Sequence, residues 1–306
     1  MIVPAERTGE VSSMLTDCVA VTNIVVLPGA AHRPAGDVVF CDVAREAASE
    51  LLERLQELGL DQDGSIAVEN VDVSLSETAA AAQEAAPGYG DDAVVWEEIA
   101  QRASDDARLT WVFLAFIVIA TQIAGIGVLL DSPILIVGAM VLGPEFGPVA
   151  AVCFGLLRRD LSLVGAAVRT LAAGFALAIV ITFAAATVSR WWGWIDPSWL
   201  DAVDRELEFI VKPDKWSFIV ALLAGAAGVL SITGGKSSAL VGVFISVTTI
   251  PAAGSVAVAV ALTRWDEVTG SLAQLAVNLA GMVLAGLATL LIQRVAWRNR
   301  ELGVRP

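Results

Sequence analysis

The sequence predicts an α-helical polytopic membrane protein: about six transmembrane helices as two inverted three-helix repeats, behind a small α+β N-terminal soluble domain. Three observations carry this. Hydrophobic residues make up 56% of the 306-residue chain and charged residues 17%, and the mean hydropathy is +0.71, outside the range of soluble compositions. The acid is confined to the front, where 21 Asp and Glu face 6 Lys and Arg before Leu109, against 12 and 13 after it. Behind Leu109, six apolar stretches each approach the roughly 20 residues that a helix needs to cross hydrocarbon about 30 Å thick.

The front domain, residues 1–76, reads as strands around one helix. Val19 to Leu27 and Asp37 to Val43 are rich in β-branched residues, and the intervening PGAAHRPAG supplies turn residues. Ala44 to Leu58 sets Ala47, Leu51, Leu55 and Leu58 on one helical face and ends at Gly59; Ile66 to Leu75 alternates with period two. A β-β-α-β sandwich results. It has no phosphate loop and no paired catalytic carboxylates, so a packing or regulatory role is expected. Its negative charge is expected to keep it from anionic lipid and to exclude nucleic acid as a partner. Residues 77–108 form a linker, Ala-rich from Ser76 to Gly90, and a charged helix from Asp91 to Arg108. Cys18, Cys41 and Cys153 are scattered and His32 is the one histidine, so no cofactor and no metal site is expected. The first thirty residues lack a basic segment followed by an apolar run, which predicts a cytoplasmic N-terminus.

The predicted spans are Leu109 to Leu130, Ile134 to Leu157, Leu161 to Val188, Trp216 to Ile232, Ala239 to Leu262 and Val268 to Val295. They fall into repeats over 109–190 and 216–296. Gly127 to Leu129 matches Gly228 to Leu230, Ile136 to Met140 matches Leu240 to Phe244, and Leu171 to Gly174 resembles Leu275 to Gly281. Three spans per half oblige the second half to enter from the opposite side, the inverted topology of many transporters. Arg102, Arg108, Arg158, Arg159, Lys236, Arg294 and the C-terminal arginines share one side, against Arg190, Arg205, Lys212, Lys215 and Arg264. The richer side is expected to be cytoplasmic, with both termini and the tail 297–306, in the cell inner membrane. Residues 191–215, with Trp191, Trp192, Trp194 and Trp199, suit an extracytoplasmic segment lying in the membrane interface.

The candidate site lies where spans two and five are interrupted. Gly143, Pro144, Gly147 and Pro148 punctuate the second, and Pro251 and Gly254 the fifth. Proline removes a backbone donor and crowds the preceding turn, so helix breaks are expected there. Freed backbone groups at matching breaks can coordinate an ion or polar solute. Glu145 sits in the first break, and a carboxylate deep in a span needs a partner or a water-filled cavity. A hairpin turning near Arg159 brings Arg169 to within roughly 6 Å of the depth of Glu145, which makes it the expected partner, structural or gating. In the second half Thr248 and Thr249 stand opposite, Thr249 corresponding to Glu145, with Gln274 and Asn278 near the counterpart of Arg169.

The stretches SPILIVGAMVLGPEFGPVAA, ALLAGAAGVLSITGGKSSALVGVFISVTTIPAAGSVAVA and LAVNLAGMVLAGL resemble the membrane region of the prokaryotic family catalogued as domain of unknown function 389, over roughly residues 109 to 296. Where that family usually has a Pro-Pro pair this sequence has Ile250 and Pro251, and the family's first motif often lacks the glutamate found here as Glu145. The resemblance implies a membrane protein and leaves its activity undetermined.

The leading expectation is a transporter or channel for a small ion or polar solute, with the front domain regulatory. The other is a sensor or scaffold whose soluble domain binds a ligand or partner and whose spans anchor it in the lipid bilayer. Small residues in Gly165 to Ala178 and Ala280 to Gly286 suit close helix contacts and a homo-oligomer. An enzyme is not expected, since the spans contain no histidine and no nucleophile paired with a base.

Overall fold

The computed structural model describes residues 1–71, 74–86, 93–195, 214–235 and 247–303. The chain divides into two compact units, residues 1–98 with 296–306, and residues 99–295.

In the first unit a three-stranded antiparallel sheet has the order β1 (Ile2–Val3), β3 (Ala35–Val43), β2 (Val21–His32). Val26 opposite Val39 and Ile2 opposite Val38 set the register. The predicted turn segment belongs mostly to the strands, which run on to His32 and resume at Ala35. Helix α1 (Thr8–Asp17) offers Val11 and Leu15, one turn apart, to the core; α2 (Arg45–Glu57) offers Leu51 and Leu55, and the one-turn α3 (Leu60–Asp63) adds Leu60. Each such side chain contributes about 1.5–3 kcal/mol of apolar burial.

Two expectations fail here. Ile66 to Leu75 is not a strand in its described residues: only the neighbouring Ser65 bridges Ile2, and the third place in the sheet goes to β1. Ser76 to Gly90 contains a helix, α4 (Glu77–Ala85), whose N-terminus Ser76 caps through the Ala79 N–H. Beyond it, Ser49 of α2 accepts from the Trp96 N–H at 3.0 Å and Arg45 donates to the Ala93 carbonyl at 3.1 Å, so residues 93–96 lie along α2. The charged helix α5 is shorter than predicted, Trp96–Asp106.

The second unit is helical. In chain order come α6 (Trp111–Leu129), α7 (Pro133–Leu142), α8 (Phe146–Arg158), α9 (Leu161–Trp191), α10 (Lys215–Thr233), α11 (Thr249–Ala261) and α12 (Trp265–Gly303). Among the described residues, α6, α9, α10 and α12 are each long and apolar enough to cross a membrane, and α7 with α8, bent by 51° at their break, would make a fifth span. This is a membrane protein of four to five candidate spans with a small N-terminal sheet. Of the predicted fifth span only Val247 onward is described, forming α11, which at 13 residues is too short to cross alone. Trp199 and the amphipathic run behind it lie outside the described residues.

Helix α11 is the centre of the unit. From Thr249 to Ala259 every residue is buried, a pattern found only where a helix is surrounded by others. Its small side chains permit close approach: a Cβ on Gly254 would lie 2.8 Å from the Gly125 nitrogen of α6 and 2.9 Å from the Ala124 Cβ. Gly225 of α10 is packed with equal closeness on the backbone of Met282 in α12. Where lipid is as apolar as the side chains, such contacts and a few hydrogen bonds hold helices together.

Candidate functional site

The site is built where two short helices begin. Glu145 is the N-cap of α8 and Thr248 the N-cap of α11. Pro148 and Pro251 are each the third residue of their helix, where the backbone N–H has no intrahelical acceptor and proline costs nothing. The prolines therefore start helices and do not break them. The real interruption in the second span is at Gly143, C-cap of α7, and Pro144. Gly147 lies in the first turn of α8, where any Cβ would meet the Asp106 carboxyl at 2.9 Å. Gly254 is a correction: it sits within α11 at the crossing with α6, and breaks nothing.

These two starts bring the polar residues together. The Thr249 hydroxyl donates to Glu145 Oε1 at 2.5 Å. The Thr248 hydroxyl accepts from Gln274 Nε2 at 3.1 Å and from Asn278 Nδ2 at 3.0 Å. Gln274 and Asn278 are one turn apart on α12 and share a face. All four partners other than Thr248 are at most 6% exposed. The second carboxylate oxygen, Glu145 Oε2, folds back over Gly143, whose missing Cβ leaves the space it occupies, with Ile250 alongside. Among the described residues, Glu145 Oε2 and Gln274 Oε1 are both buried without a hydrogen-bond donor. The arrangement is rich in acceptors and short of donors. A buried acceptor without a donor costs about 1–3 kcal/mol, a deficit that a proton, a cation or a donor-bearing solute can offset.

Five of the six expected pathway residues thus meet, and the sixth does not. Arg169 is exposed; its Nε donates to the Gly165 carbonyl of its own helix at 3.2 Å, and Glu145 has Thr249 in its place. Equal depth does not fix the direction in which a residue points. The inward position on that turn of α9 belongs to Thr170, which is 2% exposed and donates to the Ala107 carbonyl at 2.7 Å. The N-cap of α11 is Thr248, the neighbour of Thr249, as Glu145 is the N-cap of α8. Sequence reasoning missed the Ser255 and Ser271 pair, whose hydroxyls are 2.9 Å apart between α11 and α12. Its signal was Ser271, Gln274 and Asn278 at helical spacing on one face of an apolar helix.

An uncharacterised protein of Methanocaldococcus jannaschii is 30% identical over 158 residues, an overlap of 52% of this chain and 47% of that protein. The chain therefore aligns with about half the length of this relative. No solved structure matches. The family model described as "Domain of unknown function (DUF389)" matches residues 140–284, from the end of α7 through the whole polar cluster into α12. Over these residues, which hold the polar cluster, the chain is similar to that family.

Proposed function

We propose that this protein is a transporter or channel for a small cation or donor-bearing polar solute, which passes between the N-terminal ends of α8 and α11. The observation that carries the reading is the buried cluster of Glu145, Thr248, Thr249, Gln274 and Asn278 with its two donorless oxygens. Ionisable groups within apolar helices mark pathways, because their burial is otherwise unfavourable. Both α8 and α11 also aim the positive ends of their dipoles at the cluster, a device of transport sites built from discontinuous helices.

The six-span inverted repeat belongs to this proposal. Its support is equivalence of parts: α6 and α10 have 19 residues each, and α8 and α11 have 13 each. Asp131 after α6 and Gly235 after α10 are both left-handed, as are Arg159 after α8 and Thr263 after α11. The Phe146 ring of α8 also lies on Gly228 of α10, joining the halves beside the cluster. On this reading both termini face the cytoplasm, the membrane is the cell inner membrane, the soluble unit regulates, and the protein assembles as a homo-oligomer.

Flux into liposomes holding the purified full chain tests it, with protons, monovalent cations, ammonium and small anions screened in turn. The expected result is cation or ammonium flux, reduced at least tenfold in Glu145→Gln and several-fold in Thr249→Val, since one charge-assisted hydrogen bond is worth about 1.5–3 kcal/mol. Absence of flux for every solute, from protein shown to be folded and inserted, would sink the proposal in favour of a membrane-anchored sensor or scaffold.

A further inference from the structure

Away from the polar cluster, the α5–α6 junction and the start of α9 line an open cleft of about 630 Å³. Its lining includes Ser104, Arg108, Asp160, Ser162, Arg169 and Thr170. Two guanidinium groups thus open into one space. Of their acidic neighbours, Asp160 is engaged in capping α9, accepting from the Ser162 and Leu163 N–H groups at 3.0 Å each. Asp105 stands 3.6 Å from Arg108 in an exposed pair, which contributes little in water.

The level of this cleft can be read from two helices independently. Trp191, at the far end of α9, is 84% exposed with Trp192 and Trp194 beyond it, as at a membrane interface. A hydrocarbon layer about 30 Å thick spans roughly 20 helical residues, and that many residues back from Trp191 is Leu171, just beyond Arg169. On α6 the exposed Trp111 marks the same boundary, one turn past Arg108. The hydrogen bond from Thr170 to the Ala107 carbonyl ties the two helices at that height. Leu109, which lines the space, is half exposed, and Leu161 and Val168 on the same part of α9 are also exposed apolar residues.

We propose that this cleft binds the anionic headgroup of a phospholipid, its phosphate held by Arg108 and Arg169 and its acyl chains lying along the exposed faces of α6 and α9. Guanidinium pairs suit phosphate oxygens, and basic pockets between membrane helices at headgroup level are suited to such lipids.

The test is native mass spectrometry of the full chain in detergent, with phosphatidylglycerol and phosphatidylcholine of identical chains. Wild type is expected to retain phosphatidylglycerol over phosphatidylcholine by roughly tenfold or more, each arginine accounting for about fivefold. Arg108→Gln with Arg169→Gln should abolish the preference, and the two lysine replacements should restore part of it. Should the double variant fail to fold, Arg169→Gln alone, at an exposed position, should lower the preference several-fold. Equal retention of the two lipids by wild type, or an unchanged preference in the glutamine variants, would overturn the proposal. So would displacement of the lipid by millimolar inorganic phosphate, which would identify a soluble anion as the ligand.

Discussion

Asp37 shows how much one side chain can organise. Its Oδ2 accepts from the Thr8 hydroxyl at 2.6 Å and its Oδ1 from the Gly29 N–H at 2.7 Å, fixing the start of α1 and a bulge in β2 at once. The Thr8 hydrogen bond, then that of Gly29, hold its carboxyl below the ordinary value of 3.8. A depressed carboxylate contributes stability that is present above the unfolded pKa and lost as pH falls through the folded one. Protection of the β2 and β3 amides in the full chain, corrected for intrinsic exchange, should therefore fall below about pH 4, and in Thr8→Val it should start lower and fall less with acid. Identical profiles for the two proteins would refute this. Glu145 and Arg169 mark the limits of reading at this scale. A carboxylate within an apolar span stands out in a sequence, and so do polar residues such as Thr249, Gln274 and Asn278 in the later apolar stretches. Arg169 was misplaced because depth along a helix is legible from residue counts, whereas its facing depends on which neighbour packs inward, here Thr170.

Among elements, α11 is the most constrained. With no exposed side from Thr249 to Ala259, it has nowhere to move when a side chain grows. Gly254→Val should cost roughly 1–3 kcal/mol by overpacking against Ala124 and Gly125, read as a lowered unfolding midpoint in detergent. Gly138→Ala, where an added Cβ meets nothing within 4 Å, should be neutral or slightly stabilising. A fall in both variants would mean that glycine loss in itself, and not the crossing, is responsible. The same element explains a misreading. Pro251 and Gly254 look alike as helix breakers in a sequence, yet proline in a first turn begins a helix and a buried glycine marks a crossing. In the first unit the helix α2 was legible from its apolar stripe. The β1 strand, two residues long, has no period to detect, and α1 offers only Val11 and Leu15 as buried positions among polar neighbours.

At the scale of the whole chain, composition alone separated an acidic unit from an apolar helical one, and the division after Glu98 lies about ten residues before the boundary drawn from charge. Hydropathy located α6, α9, α10 and α12 because each is continuous. The interruption of the second span was legible from Gly143 and Pro144, and only the size of the bend there, 51°, was not. The six-span proposal makes a topological demand: an even number of crossings leaves both termini on one side. A reporter active only in the cytoplasm should work when fused to either terminus. Activity at one terminus alone would imply an odd number of crossings and end the inverted-repeat reading.

The meeting of two short helices at Glu145 also has an electrical meaning. Thirteen residues reach about 20 Å, so on the six-span arrangement both α8 and α11 begin well inside the insulating layer. One elementary charge carried across the full thickness at 100 mV exchanges about 2.3 kcal/mol with the field, and a charge lodged partway takes a corresponding share. A proton or cation resting on Glu145 would therefore be held by voltage as well as by concentration, as on the plate of a capacitor set within its own dielectric.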